Sequence, residues 1–252
     1  MSTNTQISLF QEHNGVVEIK KHSALVAMNN IMSLQQRKAT NALLKIAKDQ
    51  LKREPNRRLF CTDTSILKRL AGIGRNENKE LKQGLKNLVS LVIEYNILGK
   101  VKRERWAFPF LAYVKIEESG KGTVSKVWFE LPTPILEAVK NPAMYVKLDL
   151  FILRGLNSKH SMALYETLMD YQNLNSISFD IEVLRRLMGV KEGQYKVFTM
   201  FKKRVLDVAV DRINQKTDLY VEYWIERQGR KVSKSIMVAV LFKSRNCYKN
   251  TM

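Results

Sequence analysis

The sequence predicts an α+β protein built from two tandem winged-helix domains, and three observations carry that expectation. Residues 195–215, YKVFTMFKKRVLDVAVDRINQ, place Phe198, Phe201, Val205, Ala209 and Ile213 on one stripe when stepped at about 100° per residue. The opposite side holds Lys196, Met200, Lys203 and Asp207, flanked by Thr199 and Arg204, so the helix is anchored along one side and cationic toward its start. Lys202 falls nearer the apolar stripe and would have to run out along its own stem. A short helix-like run with a glycine-containing turn precedes this stretch, and two strand-like runs follow it. That order of elements then occurs twice in the chain.

Upstream of the basic helix, Asp180 can cap the short helix IEVLRRLMGV, and Gly189 stands where a helix would end in a left-handed residue. Gly193 helps close the turn. Helix, tight turn and basic second helix is the order in which the second helix enters the DNA major groove. Downstream, LYVEYWIE and SIMVAVLFK read as strands, joined by Arg227-Gln228-Gly229-Arg230-Lys231, a hairpin with a cationic tip. The alternative is an ordinary amphipathic surface helix whose charged side is merely solvated.

From the start, residues 1–15 are polar and aperiodic and form a mobile end. Residues 16–19 read as a short strand and 22–28 as a short helix. Ser33 and Gln36 have capping-box spacing and open a helix to Leu51, with Ala39, Leu43, Ile46 and Ala47 inward. A charged loop follows around Pro55. Thr62 or Asp63 can cap a short helix that ends at Gly72 or Gly74. A third helix spans 76–92, burying Leu81, Leu85, Leu88, Val89 and Val92; its outer side offers Asn76, Gln83 and Asn87 beside Lys79 and Lys86. Residues 95–101, 108–117 and 123–131 read as strands, with Gly120 and Gly122 at a turn. The apolar strands around 108–114 offer a dimer surface, unless they pack on their own domain's helices.

Prolines 132, 134 and 142 bracket ILEAVK, and the composition changes there. The division expected is a first domain over 16–142, a second over 143–246 and a tail over 247–252. In the second domain, 145–150 alternates as a strand, Asn157 or Ser158 opens a helix to Tyr171, and SISFD leads into the helix-turn-helix. The two short helices align by residue at one constant shift, ILKRLAGI from Ile66 falling on VLRRLMGV from Val183.

With 252 residues and 45% hydrophobic content, the chain can bury two ordinary cores. The net charge of +19 is spread over both halves, which points to a polyanion partner. No apolar run reaches the roughly 18 residues of a spanning helix, and no apolar signal core follows Met1. Cys61 and Cys247 imply no disulfide framework, so a reducing cytoplasm fits.

No catalytic constellation is visible. His13, His22 and His160 are too scattered to form a paired-histidine metal site, and no phosphate-cradling glycine-lysine loop occurs. The reading is non-enzymatic, with no cofactor and no metal.

The run Leu156-Asn157-Ser158-Lys159-His160-Ser161, continued by Ala163-Leu164-Tyr165-Glu166-Thr167-Leu168, resembles the L-x-S-K-x-S…L-Y-E-L-L segment of iteron-plasmid replication initiators. So do Phe201-Lys202-Lys203-Arg204-Val205-Leu206-Asp207, Ile213-Asn214, Thr217-Asp218-Leu219 and Gly229-Arg230-Lys231. The resemblance spans residues 16–243. It implies binding to repeated origin sites, melting of adjacent duplex, recruitment of a host initiator and helicase, monomers on direct repeats, and dimers that repress their own promoter at an inverted repeat.

Chemistry assigns Lys196, Thr199, Met200, Lys203 and Arg204 to bases and groove, since Lys or Arg reads guanine and a methyl or thioether can touch thymine. Ser158, Lys159, Arg185, Arg227, Arg230 and Lys231 are assigned to phosphates. Lys79, Gln83, Lys86 and Asn87 would face a neighbouring groove as a weaker reader. The rival readings are a winged-helix repressor without origin function, and a basic protein of RNA or membrane surfaces. The RNA reading lacks an aromatic stacking platform.

Overall fold

The computed structural model of the chain describes residues 17–26, 32–74, 76–98, 103–119, 123–140, 145–174, 176–228 and 231–242. The expected mobile end and tail lie outside the described residues. The rest divides into two compact units, the first reaching Arg154 and the second running from Gly155.

The first unit contains β1 (Glu18–His22), α1 (Ser23–Val26), α2 (Leu34–Leu51), β2 (Leu59–Asp63), α3 (Thr64–Ala71) and α4 (Asn78–Ser90). After these come β3 (Val92–Leu98), β4 (Arg103–Pro109), β5 (Tyr113–Ser119), β6 (Thr123–Glu130), α5 (Thr133–Lys140) and β7 (Tyr145–Asp149). A short helix, α6 (Leu150–Gly155), ends where the units divide. The boundary read near Ala143 therefore comes too early: β7 pairs antiparallel with β1, Leu148 opposite Ile19, which ties residues 145–149 to the first unit.

Helix α2 is the spine of this unit. Ser33 and Gln36 close the expected capping box, each side chain accepting from the other's backbone N–H. Neighbours surround α2, so even Arg37 and Lys38 are buried on it. Lys38 donates to the carbonyl of Arg154 at 2.7 Å, and burial lowers its ammonium pKa below the ordinary lysine range. Lys48 donates to the Val139 and Lys140 carbonyls, closing the C-terminal end of α5. Stacked Phe60 and Phe129, with Leu67, Leu85 and Leu88, fill the space beneath.

The strand expected over 108–117 is two strands, β4 and β5, broken at residues 110–112. Phe110 and Leu111 turn fully inward there, their amides donating to the carbonyls of Leu91 and Leu88. Packing on the unit's own helix thus removes the apolar centre from the dimer surface suggested by sequence. Val92, expected inside the third helix, instead begins β3 and is 56% exposed.

The second unit contains α7 (Lys159–Asp170), β8 (Ser176–Asp180), α8 (Ile181–Leu187), α9 (Phe198–Phe201), a π-helical turn (Lys202–Leu206) and α10 (Asp207–Lys216). The strands β9 (Leu219–Gln228) and β10 (Lys231–Phe242) complete it. Helix α7 is its core element, with Met162, Tyr165 and Leu168 buried and the Tyr165 hydroxyl donating to Asp218 at 3.0 Å.

The two units share one plan. The three-stranded sheet of the first has the order β2-β6-β5, that of the second β8-β10-β9, all neighbours antiparallel. The β3–β4 hairpin is an insertion between α4 and β5 in the first unit. Helices α3 and α8 end identically. Gly72 and Gly189 are left-handed, with φ of 62° and 71°. Their amides return to Arg69 and Arg186, and the next amides return to Lys68 and Arg185. The constant shift between the two sequence segments is therefore a shared helix-stop motif.

Glycine is required at position 72. A Cβ there would also lie 2.8 Å from Arg154 Cβ. Gly72→Ala is expected to destabilise the chain by about 1–2 kcal/mol. Gly84→Ala, inside α4 with nothing nearer than 3.8 Å, is expected to stabilise it by about 0.5–1 kcal/mol. Chemical denaturation of the two variants beside the parent checks both signs.

Candidate nucleic-acid interface

Side chains of α7 and of the β8–α8 segment fix the turn that launches the basic helix of the second unit. Asp180 caps α8 by accepting from the amides of Glu182 and Val183. At the other end of α8, Arg185 is only 7% exposed. Its guanidinium lies 4.4 Å from the Phe201 ring centroid and donates to the carbonyls of Tyr195 at 2.8 Å and Gln194 at 3.4 Å. From α7, Lys159 donates to the Gly189 carbonyl, and the His160 ring contacts the Met188 carbonyl at 2.6 Å. Ser158 caps α7 by accepting from the amides of His160 and Ser161. The turn is conformationally unusual: Gly193 has φ 80° and Tyr195, a non-glycine, φ 49°. Holding the Tyr195 carbonyl is how Arg185 keeps that backbone in place.

Two phosphate assignments change as a result. Arg185 faces inward and shapes the turn instead of reaching for a phosphate. Lys159 is half-buried with its ammonium on Gly189, so it too braces the turn. Ser158 keeps its expected place at a helix start, its oxygen already engaged as a cap. The side chains of Arg227 and Lys231, and the whole of Arg230, lie outside the described residues; the backbone of β9 and β10 places 227 and 231 at the tip of the hairpin.

The basic helix begins later than its periodicity implies, at Phe198 with Val197 at its cap, which leaves Lys196 on the segment before it. Phe201, Val205, Ala209 and Ile213 are buried as expected and Leu206 joins them, while Phe198, expected on the same stripe, is only half-buried. Thr199, Met200, Lys203 and Arg204 are all exposed on the outer side. Lys202 is the exception. Its ammonium sits 3.0 Å from both oxygens of Asp207 and 5.5 Å from the centroid of the Tyr223 ring, whose hydroxyl also donates to Asp207. Hydrogen bonding to Tyr223 and Asp207 raises the Lys202 pKa, while burial, then the Asp207 bond, raises that of Tyr223.

Sequence reasoning missed two exposed cations of this region. Arg186 and Lys191 line an open cleft of about 500 Å³ together with Gln194, Lys196, Glu182 and Glu192. The doublet Arg185-Arg186, one partner inward and one outward, was the available signal. In the first unit, Lys79, Gln83, Lys86 and Asn87 are exposed on α4, and Gln83 donates to Asn87 at 2.7 Å. Lys68, the counterpart of Arg185, is likewise buried and donates to Asn78 at the start of α4.

Among the described residues, no group of three or more His, Cys, Asp or Glu side chains could hold a metal, and no helix is long and apolar enough to cross a membrane.

Two family models match the sequence. Residues 18–169 match the first winged-helix domain of initiator replication proteins, and residues 180–236 match the second winged-helix domain of initiator Rep proteins. The first match extends beyond Arg154, so it includes α7, which packs in the second unit. No curated protein matches the sequence. Among solved structures, the Pi initiator protein in complex with iteron DNA is similar over 92% of this chain and 100% of its own, at 20% identity and TM-score 0.71. Domains 2 and 3 of RctB are similar over 84% of this chain and 83% of theirs, at 13% identity and TM-score 0.54. Both likenesses are of fold.

Lys203→Ala, outside the packed core, is expected to leave thermal stability unchanged, cost about 1–3 kcal/mol of duplex binding and relax preference at one base position. Arg185→Met should instead lower stability by about 2–4 kcal/mol, since two turn carbonyls lose a charged donor. Arg230→Ala should weaken every sequence alike and shallow the salt slope by about one. Melting curves and salt titrations on specific and scrambled duplexes separate the three.

Proposed function

The chain belongs to the initiator replication protein family, and from that premise we propose that it initiates replication by reading directly repeated duplex sites. It is a DNA-binding initiator with two winged-helix domains. The observation that carries the finer reading is the outward row Thr199, Met200, Lys203 and Arg204, presented on a helix anchored on its other side by Phe201, Val205, Leu206, Ala209 and Ile213. Such a helix fits a major groove, where lysine or arginine meets guanine O6 and N7. The hairpin between β9 and β10 supplies phosphate contacts through Arg227, Arg230 and Lys231, and Arg186 and Lys191 add to them.

The first domain reads a neighbouring groove through Lys79, Gln83, Lys86 and Asn87. Its amides pair with each other when free, so binding must first break that bond, and it is the weaker reader. One chain carries two reading helices, each preceded by a short helix with the same glycine stop, so a monomer can occupy a direct repeat without two-fold symmetry. A homodimer, by contrast, would bind an inverted repeat, as symmetry demands. Repression of the chain's own promoter at such an operator, and recruitment of host initiator and helicase, complete the proposal. The protein acts in the cytoplasm, without cofactor or catalytic residue.

A plasmid carrying only the direct repeats and an AT-rich segment tests this reading when the chain is supplied from elsewhere in the cell. Maintenance of the plasmid should depend on the chain and be lost with Lys203→Ala. A chain that represses a reporter from the inverted repeat yet never maintains the plasmid would be a repressor without origin function.

A further inference from the structure

The reading helix is not one regular α-helix, and the irregularity lies among its candidate base-reading residues. Residues 202–206 form a π-helical turn, closed by the amide of Asp207 donating to the carbonyl of Lys202. Such turns are rare and need a local cause. Lys202 offers such a cause here. On a regular helix it would fall within the stripe of Phe198, Phe201, Val205 and Ala209, placing an ammonium in the core. The wider turn moves it to the margin, where its side chain is 37% exposed and ion-paired with Asp207. Asp207 is held in turn by the Tyr223 hydroxyl from β9.

The wide turn also shifts phase. An extra residue in one turn rotates everything before it by about 100° relative to everything after it. Thr199 and Met200 precede the turn, while Lys203 and Arg204 lie within it. Part of that rotation falls between the two pairs, so the angle between them, as seen by a groove, differs with and without the π-turn.

We propose that Asp207 and Tyr223 are specificity-determining positioning residues, which lock the π-turn through Lys202 and so fix the rotational phase between Thr199–Met200 and Lys203–Arg204 in the groove. This rests on the reading that residues 198–216 contact bases. Neither residue needs to touch DNA. The contact runs from a wing strand into the middle of the reading helix, so the wing shapes base choice as well as gripping phosphate.

The test uses the full-length chain and a selection from duplexes randomised across one repeat, with Lys203→Ala, Tyr223→Phe and Asp207→Asn beside the parent. Tyr223→Phe removes one hydroxyl and keeps the ring. It is expected to lower discrimination at two or more base positions by about tenfold, with scrambled-duplex affinity within about twofold of the parent. Asp207→Asn keeps an acceptor for Tyr223 but loses the ion pair. The freed Lys202 should then tighten scrambled-duplex binding and steepen the salt slope by about one. A Tyr223→Phe selection profile superimposable on the parent's overturns the proposal. So does an equal loss on specific and scrambled duplex, which is the mark of a merely structural residue. If Lys203→Ala also leaves the profile unchanged, the base-reading assignment of the helix fails; if it alters the profile while Tyr223→Phe does not, only the positioning role fails.

Discussion

The turn that precedes the basic helix of the second unit depends on one buried cation. Arg185 sits where a surface arginine of α8 would ordinarily reach solvent, yet it turns inward onto Phe201 and the carbonyls of Gln194 and Tyr195. A desolvated guanidinium is tolerable only with several acceptors aimed at it, and these carbonyls are otherwise left over from a turn with two left-handed residues. The bond therefore works both ways: the two carbonyls, with the Glu182 carboxylate 3.5 Å from Nε, offset part of the cost of burying the charge, and the charge holds the turn. With the turn fixed, Phe201 is seated and the outer residues of the reading helix follow. Lys159 and His160 extend the same logic from α7 to the end of α8. The first unit repeats it in weaker form, through Lys68 on the neutral amide of Asn78.

This sorting of cations explains why charge alone is a poor guide to contacts. A net charge of +19 says that the partner is a polyanion. It does not say which lysine is free to meet it. Arg185, Lys159 and Lys202 are committed to carbonyls and carboxylates of their own unit, while Lys196, Lys203, Arg204, Arg186 and Lys191 are exposed around the turn and helix. The committed group shapes the turn and the helix, and the exposed group is left on their surface. An initiator needs both, because base reading demands a rigid helix and phosphate binding demands mobile charge.

Local chemistry was legible in the sequence wherever it acts over a few residues. The Ser33 box, the Asp180 and Ser158 caps, the left-handed Gly72 and Gly189, and the buried stripe of the reading helix all follow from short-range rules. What sequence concealed was decided by distant partners. Strand β2 is five residues of mixed character that become a strand only by pairing with β6. The apolar run after β4 carried no sign, beyond Pro109, that Phe110 and Leu111 would leave the strand to pack under α4. The early domain boundary has the same origin, since the pairing of β7 with β1 spans most of the unit. Arg185 was assigned to phosphate because an arginine's direction depends on its acceptors, which lie nine and ten residues along the chain. Lys202 is an intermediate case: its misfit with the apolar stripe was visible, but the π-turn that resolves it was not.

If the helix of residues 198–216 reads guanine in the major groove through Lys203, methylation interference detects it at the atom concerned. Methyl groups on guanine N7 lie in the major groove, and those on adenine N3 in the minor groove. Binding of the parent chain to a direct repeat should be blocked by N7 methylation at particular guanines, and Lys203→Ala should lose sensitivity at one of them while keeping the others. Interference confined to adenine N3, or an N7 pattern unchanged by Lys203→Ala, would contradict the account.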